Sequence, residues 1–254
     1  MNIELSRIWR HPIKSIGAEE IKSVNLKENQ TMPLDRVWAL AHENTKFNFA
    51  NPDWVPCSSF IRVSIAPKLM AITAQINESR DEIVLSHPEN ITLKLSLKSE
   101  DFSSEIVKWI AKFCPESGPK GFKLAKVPSR GMTDTDYCSI SLLSIDSLRD
   151  LSKRAGQNLD PRRFRGNLWV KNANPYEEFN WIGKILEVGQ VLLEVVEPIE
   201  RCNATKTNPV NGERDIDTLR LLRDNFNHQN FGVYCRVISS GKIKSGDIVK
   251  VPKL

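Results

Sequence analysis

The chain has 254 residues, 26% of them charged, and a net charge of +5, which is typical of a globular protein with one large or two modest domains. The five cysteines form no CxxC pair, which suits a reducing cytosol and argues against a cysteine-ligated zinc ribbon or iron–sulfur cluster within the chain. The start lacks a secretory signal and no run approaches the ~20 apolar residues of a membrane helix, so we expect a cytoplasmic protein that does not enter a membrane.

The first hundred residues alternate polar and apolar side chains in short stretches, a pattern that predicts β-strands separated by turns. We expect strands at residues 4–9, 21–26, 37–41, 61–65, 71–76, 83–85 and 91–97. A helix is expected over residues 104–113, whose apolar side chains share one face. Residues 115–136 are rich in Pro, Gly, Ser and Lys, which predicts a connecting segment.

The second half of the chain begins with a short helix, for which Ser144 provides the N-cap and Gly156 the end. Strands are expected again at residues 167–170, 185–188 and 191–196, a third helix at 217–226, and two closing strands at 232–238 and 248–251 joined through 241–247. Many short strands with few helices favour a β-rich α+β fold, a barrel with appended elements, over a doubly wound sheet.

Cys202 is the most distinctive candidate for chemistry. It follows a probable strand and precedes a turn rich in Pro, Asn and Gly, with Arg201, Lys206 and Arg214 close in sequence. Nearby positive charge stabilises a thiolate, which could act as a nucleophile or a metal ligand. The alternative is a small, buried and inert core residue.

Three arginines precede a predicted strand in residues 160–170, which read DPRRFRGNLWV. If this segment is extended, Arg163, Arg165 and Asn167 point to one side. Guanidinium groups bind phosphate in bidentate fashion, Asn can contact the edge of a heterocycle, and Gly166 would let the backbone approach a ligand. The alternative is a solvated, charged strand edge that discourages further pairing.

Further groups suited to an anion lie in the first forty residues. Lys14 and Ser15 occupy a turn after the first strand, and Arg36 stands at the start of another. Each could equally shape a loop or form a structural salt bridge. The chain has no long basic run with interleaved aromatics, so we do not expect nucleic-acid binding.

Taken together, these segments resemble the MOSC family, including its amino-terminal β-barrel region. The matching stretches occur in family order and cover nearly the whole chain: residues 11–15 (HPIKS), 34–38 (LDRVW), 51–54 (NPDW), 160–167, the Cys202 segment and 231–234 (FGVY). The resemblance implies a MOSC-type β-barrel with an N-terminal β-barrel-like region and a few short helices. We expect the N-terminal region at residues 1–98, a helical and connecting segment at 99–132 and the MOSC core domain at 133–254.

The resemblance to amidoxime-reducing members of the family implies a molybdenum cofactor, molybdenum bound to molybdopterin. Cys202 would ligate the metal and serve as the catalytic residue. The pterin and its phosphate would be held by the cofactor-binding set Lys14, Ser15, Arg36, Ser144 (or a serine close to it), Arg163, Arg165 and Asn167. A small N-oxygenated compound would be the substrate. The chain ends without the cysteine-rich ferredoxin extension of some bacterial relatives, so a separate electron donor, of ferredoxin or cytochrome type, is expected.

Two other functions remain open from the sequence. Other MOSC domains work beside a cysteine desulfurase, and Cys202 could carry sulfur as a persulfide. The protein could also deliver the cofactor without turnover. The amidoxime reducers differ from this chain after the cysteine, with more apolar residues and a threonine where it has Lys206, so the substrate is not indicated.

Overall fold

The structure is a computed structural model that describes residues 2–252. Within that range it contains 15 β-strands, three α-helices and several short 3-10 turns, which confirms the β-rich α+β prediction. The helices are α1 (Phe102–Ala111), α2 (Ile145–Ala155) and α3 (Thr218–Phe226). The strands are β1 (Glu4–Arg10), β2 (Glu19–Ile21), β3 (Ser23–Leu26), β4 (Ala39–His42), β5 (Thr73–Asn77), β6 (Glu82–His87), β7 (Ile91–Ser96), β8 (Gly121–Ala125), β9 (Ile140–Ser144), β10 (Leu168–Lys171), β11 (Ile185–Val188), β12 (Val191–Glu200), β13 (Asn230–Ser239), β14 (Gly241–Lys244) and β15 (Val249–Lys250).

The largest sheet joins strands from both ends of the chain. Its eight strands lie in the order β15-β11-β12-β13-β9-β10-β1-β2, and every neighbouring pair is antiparallel except β9 and β10. β3 also pairs with β14 from the far end of the sequence. The turns that follow β1 are therefore brought beside loops of the C-terminal half, although more than 100 residues separate them in sequence.

A second group of elements packs on its own apolar core. The meander β5-β6-β7, the pair β4-β8 and α1 surround a buried cluster that includes Ile61, Val63, Ile106 and Leu85. The large sheet encloses a separate cluster, with Leu5, Leu142, Leu193 and Val233 among its fully buried members. The functional cavity described below is lined by residues from both groups.

The helix ends follow from the predicted capping residues. The Ser144 side chain accepts hydrogen bonds from the backbone N–H groups of Asp146 and Ser147 at 3.1 and 3.2 Å, and Gly156 ends α2 in the left-handed conformation. None of the helices within residues 2–252 combines the length and apolar character needed to cross a membrane.

Three sequence predictions of secondary structure are wrong. Residues 61–65 form a turn rather than a strand, closed by hydrogen bonds of 2.9 Å from the backbone N–H groups of Ile65 and Ala66 to the Arg62 carbonyl. The connecting segments 115–136 and 241–247 contain strands β8 and β14. Neither strand has strong alternation of its own, and each forms because a distant partner strand supplies its hydrogen bonds.

The segment before β10 is also not extended. Residues Pro161–Phe164 form a 3-10 turn that Asp160 caps, and Arg165 follows with a left-handed φ of 47°. Gly166 packs closely against β9, since a Cβ at this position would lie 2.3 Å from Cδ1 of Leu143. The glycine is required by the packing of the turn against β9.

Candidate functional site

A cavity of about 250 Å³ collects most of the side chains that the sequence singled out. The lining residues come from segments spread over the chain: Lys14, Ser15, Arg36, Cys57, Arg62, Val63, Ser64, Thr133, Asp134, Ser139, Ser141, Arg163, Phe164, Arg165, Asn167, Ile199, Glu200, Arg201, Cys202, Ala204, Thr205 and Tyr234. Seven of the eight predicted site residues lie here; Ser144 does not. The site therefore exists only in the folded chain.

Cys202 is placed at the cavity with its side chain accessible. It follows the last residue of β12 by two positions and precedes a 3-10 turn at Asn203–Lys206. The backbone N–H and the hydroxyl of Thr205 both donate to the Cys202 carbonyl, at 3.2 and 3.1 Å, which holds the cysteine at the start of this turn. The residue is exposed and its thiol is free. The alternative of a buried, inert core cysteine does not apply to it.

Cys235 provides the contrast. It lies in β13 with no exposed surface, and burial raises the pKa of its thiol well above the ordinary value. Cys57 is intermediate, half-buried at the cavity beside Arg62. Of the two cysteines that line the cavity, Cys202 is therefore the exposed one.

The turn after β1 brings Lys14 and Ser15 to the cavity. The Lys14 ammonium donates to the Met132 carbonyl at 2.7 Å and to the Asp134 carboxylate at 2.6 Å. Ser15 has a left-handed φ of 67° inside a turn that Ile16 closes by donating to the Ile13 carbonyl. Non-glycine residues in this conformation are strained, and such strain is common at functional sites.

Arg36 and Arg165 lie in contact with one another. An Nη2 hydrogen of Arg36 is donated to the Arg165 carbonyl at 2.9 Å, and the other Nη atom of Arg36 pairs with Asp35. Asp35 is buried and is fixed from its other side by the His11 backbone N–H at 2.7 Å. Both arginines have left-handed backbones, with φ of 52° and 47°. This arrangement places two guanidinium groups together while only one of them has a carboxylate partner.

The pKa values of Arg36 and Arg165 are shifted in opposite directions. Burial opposes the charge of Arg36, but Asp35 and then Asp134 more than offset it, so its pKa is raised. Burial, followed by repulsion from Arg36, lowers the pKa of Arg165 to about 9. Within residues 2–252, Arg165 makes no ion pair, and its one side-chain hydrogen bond is a long contact of 3.4 Å to the Ile13 carbonyl. Arg165 is therefore a destabilised cation that an anionic ligand would stabilise.

The other two residues of this segment are already engaged. Arg163, with 3% of its side chain exposed, forms a bidentate pair with Asp215 at 2.7 and 2.5 Å, leaving its buried Nε without a partner. The Asn167 amide oxygen accepts from the backbone N–H and hydroxyl of Ser141, and its NH2 group donates to the Trp9 carbonyl at 3.2 Å. Asn167 therefore holds the wall of the cavity together, with its amide used inside the protein.

Ser144 lies outside the cavity, because its hydroxyl is fully buried as the N-cap of α2. The nearest serines that line the cavity are Ser139 and Ser141, five and three residues earlier. β9 alternates the direction of its side chains, so Ser141 faces the cavity side while the strand end turns into the helix. The family resemblance implied Ser144, or a serine close to it, at the cofactor site; Ser144 itself caps α2, and the strand β9 that carries Ser141 was not predicted.

Several residues at the cavity were not predicted as part of the site, among them Arg201, Arg62 and Cys57. Arg201 directs its guanidinium at the carbonyls of Phe164 and Phe231, and burial lowers its pKa to about 10. Arg62 and Cys57 come from the N-terminal core and meet at 3.8 Å between Nη1 and Sγ. An arginine between apolar residues, as in Ile61-Arg62-Val63, was the one sequence signal that could have indicated Arg62.

The cavity is strongly cationic in total. Six of its lining residues carry a positive charge (Lys14, Arg36, Arg62, Arg163, Arg165 and Arg201), against the two carboxylates of Asp134 and Glu200. Within residues 2–252, no group of three or more His, Cys, Asp or Glu side chains is placed to hold a metal ion. The arrangement is suited to an anionic molecule bound next to one accessible thiol.

Comparison with protein families gives two matches in succession. The description MOSC domain matches residues 131–250, and MOSC N-terminal beta barrel domain matches residues 2–113. The chain belongs to the MOSC family. The family resemblance of the sequence motifs is thereby confirmed, and so is the β-rich fold with an N-terminal β-barrel domain.

Two similar proteins carry different names. Mitochondrial amidoxime reducing component 2 from Homo sapiens is 24% identical over 96% of this chain and 82% of its own length. Molybdenum cofactor sulfurase from Caenorhabditis elegans is 24% identical over 93% of this chain. The chain spans only 34% of that sulfurase. Among solved structures, the YuaD protein from Bacillus subtilis aligns over 99% of this chain and 96% of its own, with 11% identity and a TM-score of 0.46.

Proposed function

We propose that this cavity binds a molybdenum cofactor, with Cys202 as the metal ligand, and that the protein reduces small N-oxygenated compounds. The observation that carries the proposal is one accessible thiol at a cavity that six cationic side chains line. The similarity to an amidoxime reducing component over most of both chains supports the reaction class.

The residues present fit such a cofactor. A phosphate-bearing pterin is an anion, and Arg165 is a cation without a carboxylate partner in the described chain. Arg36 donates a hydrogen bond to the Arg165 carbonyl, and Lys14 and Ser15 line the same cavity. Lys14 and Ser15 lie in the turn after β1, and Arg36 lies in the turn before β4. The Cys202 thiol is free to become a thiolate ligand.

In this proposal each side chain has a distinct task. Arg165 and Arg36 neutralise the phosphate, Lys14 adds a third positive charge and Ser15 a hydroxyl donor. Asn167 acts as a positioning residue, since it joins Ser141 to the Trp9 backbone beneath the site. Arg163 stays paired with Asp215 and keeps the segment before β10 in place. The cofactor, when bound, supplies the redox chemistry, while the protein provides orientation and electrostatics. Electrons would come from a separate ferredoxin- or cytochrome-type protein.

The test is the molybdenum and pterin content of protein purified from a cofactor-competent host. Cys202→Ala should lose molybdenum and amidoxime reduction, whereas Cys57→Ala, at the same cavity, should retain the metal. Arg165→Gln should lose the pterin as well as the metal, because it removes the phosphate contact. Full molybdenum content in Cys202→Ala would refute the assignment of the metal ligand.

A second function, sulfur transfer through Cys202, is supported by the accessibility of its thiol and by the similarity to molybdenum cofactor sulfurases. Incubation with a cysteine desulfurase and cysteine should then add one sulfur to the intact mass, and Cys202→Ala should abolish the addition. Molybdenum bound without any such sulfur addition would favour the reductase.

A further inference from the structure

We propose that Arg62 binds the carboxylate of a small anionic substrate in the same cavity as Cys202. The inference rests on the proposed function for the N-oxygenated part of that substrate. The carboxylate site itself is argued from the surroundings of Arg62, and its test requires binding rather than turnover.

Arg62 is a cation with no anionic partner. Within residues 2–252 it makes no ion pair, and its one side-chain hydrogen bond is donated from Nη1 to the Cys57 sulfur at 3.8 Å. Its Nε atom is buried without a hydrogen-bond partner. Arg62 nevertheless lines the cavity, and a guanidinium without an anionic partner at a cavity is suited to a ligand oxygen.

The backbone holds Arg62 firmly in this position. Its neighbours Ile61 and Val63 are both buried in the N-terminal core, and the Ile61 N–H donates to the Leu40 carbonyl at 2.8 Å. The Arg62 carbonyl accepts from both Ile65 and Ala66 at 2.9 Å. The guanidinium is therefore presented to the cavity from a rigid turn, and little ordering would oppose binding.

Arg62 belongs to a part of the cavity different from the proposed phosphate site. Arg36, Arg165 and the Ile13 carbonyl are joined by direct hydrogen bonds, and within residues 2–252 none of them forms a hydrogen bond with Arg62. The Arg62 turn is instead tied to the Cys202 loop, because Arg214 donates to the Ser64 carbonyl at 2.7 Å. Ala204, two residues after Cys202, packs against the same apolar cluster as Ile61 and Val63. Arg62 thus provides a second anion-binding position on the side of the reactive thiol.

A carboxylate is the group that fits these donors. A guanidinium binds a planar carboxylate through two parallel N–H···O bonds, and the two Nη atoms at the end of Arg62 can form such a fork. Of the other cavity cations, Lys14, Arg36 and Arg163 already have carboxylate partners, and Arg201 directs its donors at backbone carbonyls. With Arg165 assigned to phosphate, Arg62 is the remaining cavity cation in the described chain that has neither a carboxylate partner nor hydrogen bonds to backbone carbonyls.

The test compares two probes on protein from a cofactor-competent host, benzamidoxime and 4-carboxybenzamidoxime, by isothermal titration calorimetry. Arg62→Gln removes the fork, and Arg62→Lys keeps the charge without it. Arg220→Gln serves as the matched control, since Arg220 is exposed on α3 and lies outside the cavity. Thermal melting and molybdenum content establish that each variant is folded and loaded.

The wild-type protein and Arg220→Gln should bind the carboxylated probe at least tenfold more tightly than the neutral one. In Arg62→Gln this ratio should fall to near one, through a loss of about 10- to 100-fold for the carboxylated probe, with Arg62→Lys intermediate. A ratio near one in the wild type, absence of binding of the carboxylated probe, or an unchanged ratio in Arg62→Gln would each overturn the inference.

The two proposals can fail separately. Molybdenum retention and turnover of both probes without a carboxylate preference would remove the Arg62 site and leave the reductase. A carboxylate preference that depends on Arg62, in a protein that holds no molybdenum, would remove the reductase and leave the anion site. If Arg62→Gln does not fold, the wild-type ratio and Arg62→Lys still decide the question.

Discussion

Replacing Arg165 by glutamine should make the cofactor-free protein more stable, at the expense of ligand binding. Burial, followed by repulsion from Arg36, lowers the pKa of Arg165 to about 9, which corresponds to about 5 kcal/mol of unfavourable free energy for the charged form, at about 1.36 kcal/mol per pKa unit. Arg165 keeps some exposure, so solvent screening reduces this figure. Arg165→Gln also loses the weak hydrogen bond to the Ile13 carbonyl, which offsets about 1 kcal/mol of the expected gain in stability. We expect a net gain of about 1–3 kcal/mol in the free energy of unfolding.

The assay is urea unfolding of protein purified from a host that makes no molybdenum cofactor. For a chain of this size the expected gain corresponds to about 2–4 °C in melting temperature per kcal/mol. Arg36→Gln is the matched control. It should lower stability by about 3 kcal/mol or more, because the Asp35 carboxylate stays buried without its cationic partner. A gain in stability in Arg165→Gln together with a loss in Arg36→Gln would be difficult to explain by packing alone.

The pH dependence of the stability difference between the wild type and Arg165→Gln is a second test of the Arg165 charge. Below about pH 9 Arg165 is protonated in both states, so the difference between the wild type and Arg165→Gln is constant. Above it the folded protein releases a proton that the unfolded chain retains, and the difference should narrow. An Arg165→Gln protein less stable than the wild type at pH 7 would refute the account of Arg165 as a cation lacking a partner.

Three further predictions concern other parts of the molecule. Burial raises the pKa of Glu178 to about 7, so the folded protein loses stability as pH rises from about 4.5 to 7. In urea unfolding, the stabilisation by Glu178→Gln should therefore grow over that range, and a gain that does not depend on pH would contradict this account. Alkylation of the native protein followed by mass spectrometry should modify Cys202 first and Cys235 only after unfolding, since only the former is exposed; early labelling of Cys235 would show that β13 opens. Gly166→Ala should lower the free energy of unfolding by about 1–3 kcal/mol, because the added Cβ overpacks against Leu143; a selective loss of phosphate binding in a stably folded variant would instead show that the glycine serves a ligand.

Elements whose ends are determined by their own residues were predicted more closely than elements that depend on distant partners. Helix α2 was predicted closely, since Ser144 and Gly156 determine its ends within the helix itself. The segment around Arg62 was predicted as a strand because it alternates apolar and polar residues, but backbone hydrogen bonds to the Arg62 carbonyl fold it into a turn. Strand β8 was read as a linker because its hydrogen-bonding partner, β4, lies about 80 residues away.

The candidate site was predicted in part for a similar reason. Lys14, Arg36, Arg165 and Cys202 belong to motifs that are recognisable one by one, and all four line one cavity. Their partners were not visible in the sequence. The pairing of Arg163 with Asp215, which withdraws that arginine from a ligand, joins residues 52 positions apart.

The sequence by itself determined the family, the β-rich class and the reactive candidate Cys202, because each depends on residue types and their order along the chain. Only the tertiary structure decided which charges are free. Whether a guanidinium is available to a ligand depends on the carboxylates and carbonyls that folding brings to it from distant segments. That is why Arg163 and Asn167 proved to be occupied within the protein, whereas Arg165 and the unpredicted Arg62 retain unused hydrogen-bond donors at the cavity.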